Sequence, residues 1–258
     1  MYIIQYLFIL ILFSDLVSNE IFGGQHIKYQ ALQTDKEENN LSILSWNIKM
    51  HPPPYGWFYN SIDKAENIIK TLKESSKYDV ILFQEAFSYK IRNKIYNSLQ
   101  DIYPYQIDIR DETIFYKMNS GLWVISSIPI ILIDNINFTE LRYHDWLSSK
   151  GAYLYSVIKN GQEIHIINTH MQADYKTKYC DLRTKQYTEI KEKLILPFEN
   201  FEIPLILCGD LNISKPSRLK LMLENLNLIN GPLSGKLQHS SLGKSHELLD
   251  YILVKTKQ

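Results

Sequence analysis

From Leu41 onward, short apolar runs alternate with segments of helical periodicity, the pattern of a domain layered from helices and sheets. LSILSWN (Leu41 to Asn47) and YDVILFQE (Tyr78 to Glu85) read as strands. Between them Ser61 is placed to cap a helix whose Ile62, Ala65, Ile68, Ile69 and Leu72 fall on one face, and a second helix is predicted after Ser88. GAYLYSVI and EIHIINTH flank Asn160-Gly161, a pair that readily supplies the two positive φ angles of a tight hairpin turn. An antiparallel pair ending at His170 is therefore expected. Asp181 to Leu196 predicts a helix, PLILCGD (Pro204 to Asp210) a buried strand entering a turn, and HELLDYILV (His246 to Val254) a last strand.

Ahead of this domain, residues 1–18 hold an unbroken apolar stretch from Leu7 to Phe13 and end in small or polar residues. The stretch is too short for a membrane span, which needs about 20 apolar residues, and it reads as a secretory signal, so an extracellular protein is expected. Residues 19–40 read as a polar leader closing on DKEENN, and residues 41–258 as one domain without internal repeats.

Composition narrows the function classes. With 45% hydrophobic and 22% charged residues in a chain of 258, the sequence can build a large core and is not of the disordered class. Its 28 Lys plus Arg balance 28 Asp plus Glu, and the densest basic cluster, Lys176, Lys178, Arg183 and Lys185, is interrupted by Asp181. No strong nucleic-acid signal is present, because phosphate-driven binding relies on a cationic surplus. Cys180 and Cys208 match no zinc spacing; Cys208 lies in an apolar run and reads as a small buried hydrophobe, with a single bridge between the two left open.

Polar residues recur where apolar strands end: Asn47, Glu85, His170, Asp210 with Asn212, and Asp250. Each alone is a common turn former or cap. Together, a carboxylate with amide oxygens suits a hard cation such as Mg²⁺, which binds one or two carboxylates and keeps positions for water and a substrate phosphate. In such a site His170 would donate to a phosphoryl oxygen, Asp210 would orient an attacking water and Asn212 would donate to the phosphate. This is the inventory of metal-assisted phosphodiester hydrolysis.

The motifs SWN (45–47), DVILFQEAF (79–87), SGLWVISSIPI (120–130), SKGAYLY (149–155), INTHMQAD (167–174), CGDLNIS (208–214) and LLDYILV (248–254) follow in that order. In them the chain resembles the endonuclease/exonuclease/phosphatase superfamily and, through SKG followed by THMQA, its secreted neutral sphingomyelinase branch. The resemblance implies an α+β fold: a four-layer, deoxyribonuclease-like α/β sandwich of two packed mixed β-sheets flanked by helices. It implies Glu85 as principal metal ligand with Asn47 beside the metal and phosphate, and His170 as the transition-state stabiliser. Asp210 and Asn212 would be the pair that orients water and phosphate, and Asp250 the support of a final histidine. Mg²⁺ is the implied cofactor, and a phospholipid at a membrane surface the implied partner of a monomer.

The family's final histidine belongs to an Asp-His pair on a further strand and is its general base. Here Gln258 stands eight residues after Asp250, and none of His26, His51, His144, His165, His170, His239 and His246 takes that place. Such a base is worth about 10² to 10⁴ in rate. Three expectations stand side by side: impaired activity, replacement of the base by His246 or His239, or a catalytically inactive fold that binds phosphate or a lipid headgroup. For the lipid, Tyr55, Trp57 and Phe58 in HPPPYGWFYN and Trp146 in YHDW offer rings suited either to a water-lipid boundary or to covering the domain's own core. Nuclease and inositol-phosphate phosphatase activities are the further options within the superfamily.

Overall fold

The computed structural model describes residues 9–11, 40–51, 61–75, 78–109, 117–174, 178–231 and 247–255. The expected signal at 1–18 apart from Ile9–Ile11, the expected leader at 19–40 apart from Asn40, the aromatic segment with Tyr55, Trp57 and Phe58, and both His239 and His246 lie outside the described residues.

One mixed sheet has the order β1-β2-β3-β5-β4, formed by β1 (Ile9–Ile11), β2 (Ile43–Asn47), β3 (Val80–Gln84), β4 (Tyr105–Ile107) and β5 (Trp123–Ser126). Its β1, β2 and β3 are parallel, and β5 runs antiparallel to β3 and β4. Between β2 and β3 the chain forms α1 (Ser61–Glu74), and α2 (Tyr89–Leu99) follows β3. The second sheet comprises β6 (Ile130–Asn137), β7 (Gly151–Lys159), β8 (Gln162–His170), β9 (Leu205–Asp210), β10 (Leu228–Asn230) and β11 (Asp250–Lys255), in the order β10-β11-β9-β8-β7-β6. Helices α3 (Cys180–Ile190) and α4 (Pro216–Leu226) accompany it.

Period-2 alternation along the strands produces three separate cores, which define four layers. Leu44, Phe83 and Trp123 point outward from the first sheet onto Ala65, Ile68 and Leu72 of α1 and Ile91 and Ile95 of α2. The rings of Phe83 and Trp123 stack at 4.7 Å. Their neighbours Ile43, Leu82 and Val124 point inward and meet Tyr153, Tyr155, Ile166, Cys208 and Ile252 of the second sheet. The outer face of that sheet buries Leu154, Ile167, Leu207 and Leu253 against Tyr187 and Ile190 of α3 and Met222 and Leu226 of α4. The chain thus forms the four-layer sandwich of two mixed sheets flanked by helices that its motifs implied.

The β7–β8 hairpin follows the expected register, with Asn160 at φ 51 and Gly161 at φ 79 in its turn. Two elements differ from expectation. The predicted helix from Asp181 to Leu196 is α-helical only through Ile190; Lys191–Ile195 form a π turn and Leu196–Phe198 a 3₁₀ turn, as Pro197 cannot donate to the helical ladder. The last strand covers Asp250–Lys255, and the residues 247–249 before it are not strand, although Leu211 N still donates to Leu249 O at 2.9 Å in line with the β9–β11 register. Both cysteines are free thiols, which closes the question of a bridge, and burial pushes the Cys208 thiol well up from its ordinary value.

Candidate active site

The two sheets bring their polar strand ends to a common edge. Asn47 ends β2, Glu85 directly follows β3, His170 ends β8, Asp210 ends β9 and Asp250 begins β11. The pairing explains the convergence: Asn47 lies beside Gln84 in the first sheet, while His170 and Asp250 flank Asp210 in the second. Beneath this edge the sheets are tied by two fully buried amides. Gln84 Nε2 donates to Asn168 Oδ1 at 2.8 Å, and Asn168 Nδ2 donates across the gap to Phe83 O at 3.1 Å.

Asn47 joins the two halves of the site. Its Nδ2 donates to Glu85 Oε1 at 2.8 Å and to Asp210 Oδ2 at 3.1 Å. Glu85 Oε2 lies 3.2 Å from His51 Nε2, and the His51 ring stacks on Phe87 at 5.8 Å. Glu85 itself adopts a left-handed backbone, φ 53, which costs a non-glycine residue about 1 to 2 kcal/mol. Gly121, also at positive φ, packs against it so closely that a Cβ there would stand 3.0 Å from Glu85 Cα and 2.8 Å from the Phe87 ring. On the other half, Gly209 at φ 134 lets β9 approach β8, where a Cβ would meet Thr169 O at 1.9 Å. That approach seats Asp210 beside His170.

His170 is buried, with Nε2 3.7 Å from Asp210 Oδ2 and 2.9 Å from Lys150 Nζ. Lys150 lies within the SKG motif, where no apolar run is interrupted and the local pattern gives it no mark. Its ammonium, only 3% exposed as a residue, also reaches Asp145 Oδ1 at 3.0 Å and donates to Met171 O at 3.1 Å. Three polar neighbours thus use the three ammonium protons. Since an ammonium cannot accept, His170 Nε2 is the acceptor, and the neutral ring carries its proton on Nδ1. Burial, then repulsion from Lys150 and His51, holds the His170 pKa well below the ordinary imidazole value, consistent with that neutral form. The fixed cation here is therefore Lys150 and not a protonated His170.

Asp210 Oδ1 accepts Asn212 N at 3.0 Å, and Asn212, at φ 51, donates through Nδ2 to Met171 O at 3.0 Å. Burial raises the Asp210 pKa to about 6; Lys150 and the Asn47 amide oppose the rise and Glu85 adds to it. Asp145 extends the network by accepting Ala173 N at 2.7 Å, so the loop after His170 is fixed from a neighbouring 3₁₀ turn, Tyr143–Leu147. Trp146 in that turn is 55% exposed, unlike the core-covering alternative for its ring.

The donor set can be tested against a metal. Glu85 is a single carboxylate at the rim, its side chain 16% exposed, with the Asn47 amide beside it. Among the described residues no group of three or more His, Cys, Asp and Glu is arranged around a common point. The Glu85 carboxylate is the kind of hard oxygen donor that Mg²⁺ takes, and Asn47, whose Nδ2 faces Glu85 while its Oδ1 accepts Lys49 N at 3.2 Å, would have to turn its amide to add an oxygen. Of the expected site residues, the structure brings together Asn47, Glu85, His170, Asp210 and Asn212, with Asp250 on the adjacent strand. Lys150, Asp145 and His51 are added. His51 carried no signal beyond its place before an aromatic loop.

The chain is similar to proteins of known family and fold. The profile of the Endonuclease/Exonuclease/phosphatase family matches residues 44–258. A sphingomyelinase C of Leptospira interrogans is 30% identical over 211 residues, covering 70% of this chain and 36% of the relative. The sphingomyelinase C of Bacillus cereus is 24% identical over 216 residues, covering 76% of this chain and 63% of that protein. The chain thus spans between about a third and two thirds of the length of these relatives. A crystal structure of a beta toxin mutant from Staphylococcus aureus with bound magnesium ions superposes with a TM-score of 0.71 at 23% identity, covering 84% of each chain.

Proposed function

From the premise that the chain belongs to the endonuclease/exonuclease/phosphatase family, we propose that it is a Mg²⁺-dependent phosphodiesterase that hydrolyses sphingomyelin to ceramide and phosphocholine. The observation that carries this reading is the meeting of Asn47, Glu85, His170, Asp210 and Asn212 at one sheet edge around a buried lysine. The sphingomyelinase relatives support the choice of lipid, and the magnesium-bound beta toxin supports the choice of ion. The apolar run in residues 1–18, read as a secretory signal although Ile9–Ile11 pair with β2 in this structure, supports action outside the cell, on a lipid surface.

Glu85 and Asn47 would hold the ion, which when bound supplies positive charge that offsets the phosphate and its developing transition-state charge. The chain's own residues do the rest. Asp210, fixed through both oxygens by Asn47 and Asn212, orients the attacking water and receives its proton. The water oxygen bonds to phosphorus as the bond from phosphorus to the ceramide oxygen breaks, and the ceramide oxygen leaves as an alkoxide that takes a proton from solvent. Lys150 contributes a preorganised positive charge next to His170, in a setting dry enough for it to act strongly on a phosphoryl oxygen.

The test is phosphocholine release from sphingomyelin liposomes with Mg²⁺ and with chelator, run beside Glu85→Gln. Release that needs the metal and is lost in Glu85→Gln is the expected outcome. No release from folded protein would overturn the enzymatic reading in favour of a phosphate or headgroup binder.

A further inference from the structure

We propose that Arg92, on α2 and outside the reacting groups, is a positioning residue that fixes the backbone of Glu85 and thereby sets the affinity for Mg²⁺. Arg92 is 4% exposed and does not pair only with a carboxylate. Its Nη1 donates to Ala86 O at 2.7 Å and Phe87 O at 3.0 Å, the two carbonyls immediately after Glu85, while Nε donates to Asp108 Oδ1 at 2.6 Å. A buried guanidinium is retained at a desolvation cost that an apolar side chain would avoid, so its contacts indicate its use.

The strained residue explains what that use is. Glu85 sits at φ 53 without the freedom of glycine, and such a conformation persists only where its surroundings over-determine it. The backbone around it is held at several points. Met50 N donates to Glu85 O at 2.9 Å, Ala86 N donates to Gly121 O at 3.0 Å, and Asn119 Nδ2 shares Phe87 O at 3.1 Å. Among the described residues, Arg92 ties both following carbonyls to α2, and Asp108 keeps its planar fork in place. Losing the fork frees the peptides after Glu85 to relax toward ordinary φ. That relaxation swings the carboxylate away from Asn47.

This inference rests on the reading of Glu85 as the metal ligand, and its test separates the two. Mg²⁺ binding is measured by calorimetry without substrate for wild type, Arg92→Ala, Arg92→Lys and Glu85→Gln, each checked for a cooperative unfolding transition. Arg92→Ala is expected to weaken Mg²⁺ binding at least tenfold in folded protein. Arg92→Lys, which cannot span both carbonyls and Asp108, is expected to fall between it and wild type, and it serves as the test if Arg92→Ala does not fold. Wild-type affinity in either folded arginine variant, alongside loss in Glu85→Gln, would overturn the inference alone and reduce Arg92 to a stabilising contact. Wild-type affinity in Glu85→Gln would overturn the ligand assignment, and this inference with it.

Discussion

Around Glu85 the site stays open to water, with the glutamate side chain 16% exposed and that of His51 33% exposed; around His170 it is closed, with the side chains of His170 and Lys150 at 3% and 4%. Both regions sit on strand ends of one edge and share Asn47, so the contrast comes from the flanking segments. The first sheet ends in a loop from Ile48 to His51 that leaves Glu85 accessible, whereas the second is roofed by the Tyr143–Leu147 turn and the chain after His170. An open carboxylate can exchange an ion and its waters. A closed ammonium beside a neutral imidazole holds its charge in place where water screens it least. On the proposed function, the division gives ion capture to one half and charge stabilisation to the other.

Breaking the closed half should have the larger consequence. Lys150→Met removes the cation and leaves Asp145 and His170 buried without their partner, so a loss of about 3 to 5 kcal/mol of stability is expected, measured by denaturant unfolding. In protein that remains folded, phosphocholine release should drop roughly 100-fold or more at saturating Mg²⁺. A small change in both would mean that the closed half does not stabilise charge.

Next in size, Asn168→Ala tests whether the two halves need their common support. It leaves Gln84 Nε2 without its 2.8 Å partner beneath the edge, and a cost of about 1 to 3 kcal/mol is expected in thermal or denaturant unfolding. An unchanged midpoint would show that the apolar contacts between the sheets suffice. On the open half, saturating Mg²⁺ at about 100 times its Kd should raise stability by about 2.7 kcal/mol in wild type and by nothing measurable in Glu85→Gln. Equal stabilisation of both would place the ion elsewhere.

The same contrast governs what the sequence made legible. Asn47, Glu85, His170, Asp210 and Asn212 were readable because each interrupts an apolar run at a strand end, and local pattern reports such breaks. Lys150 was not, because a lysine between two serines and a glycine looks like surface, and only the pairing of β7 with β8 buries it beside His170. The hairpin was fixed by Asn160-Gly161, a strictly local signal. Strand β6 escaped assignment for the opposite reason: its alternation is broken by a register shift between Leu132 and Asp134, and only pairing with β7 defines it. The break in helix α3 is likewise set by its packing and Pro197 rather than by periodicity, which runs on past Ile190.

The smallest effect on the fold, and the sharpest on partner choice, is expected at Trp146. Its neighbour Asp145 is buried and tied to Lys150 and Ala173, so the turn is anchored from within while Trp146 stands 55% exposed beside Tyr143 at 61%. A tryptophan presented in this way over the closed half suits a water-lipid boundary. Trp146→Ala should therefore cost less unfolding stability than the Lys150 and Asn168 variants, since Trp146 is 55% exposed. Binding to sphingomyelin liposomes in a sedimentation assay should weaken roughly tenfold, equivalent to about 1.4 kcal/mol. Hydrolysis of a water-soluble phosphocholine ester should be unaffected, because Asp145 and Lys150 keep their contacts. Undiminished liposome binding would remove Trp146 from the lipid surface, whereas a matching loss on the soluble ester would mean that the turn acts through Asp145 on the closed half itself.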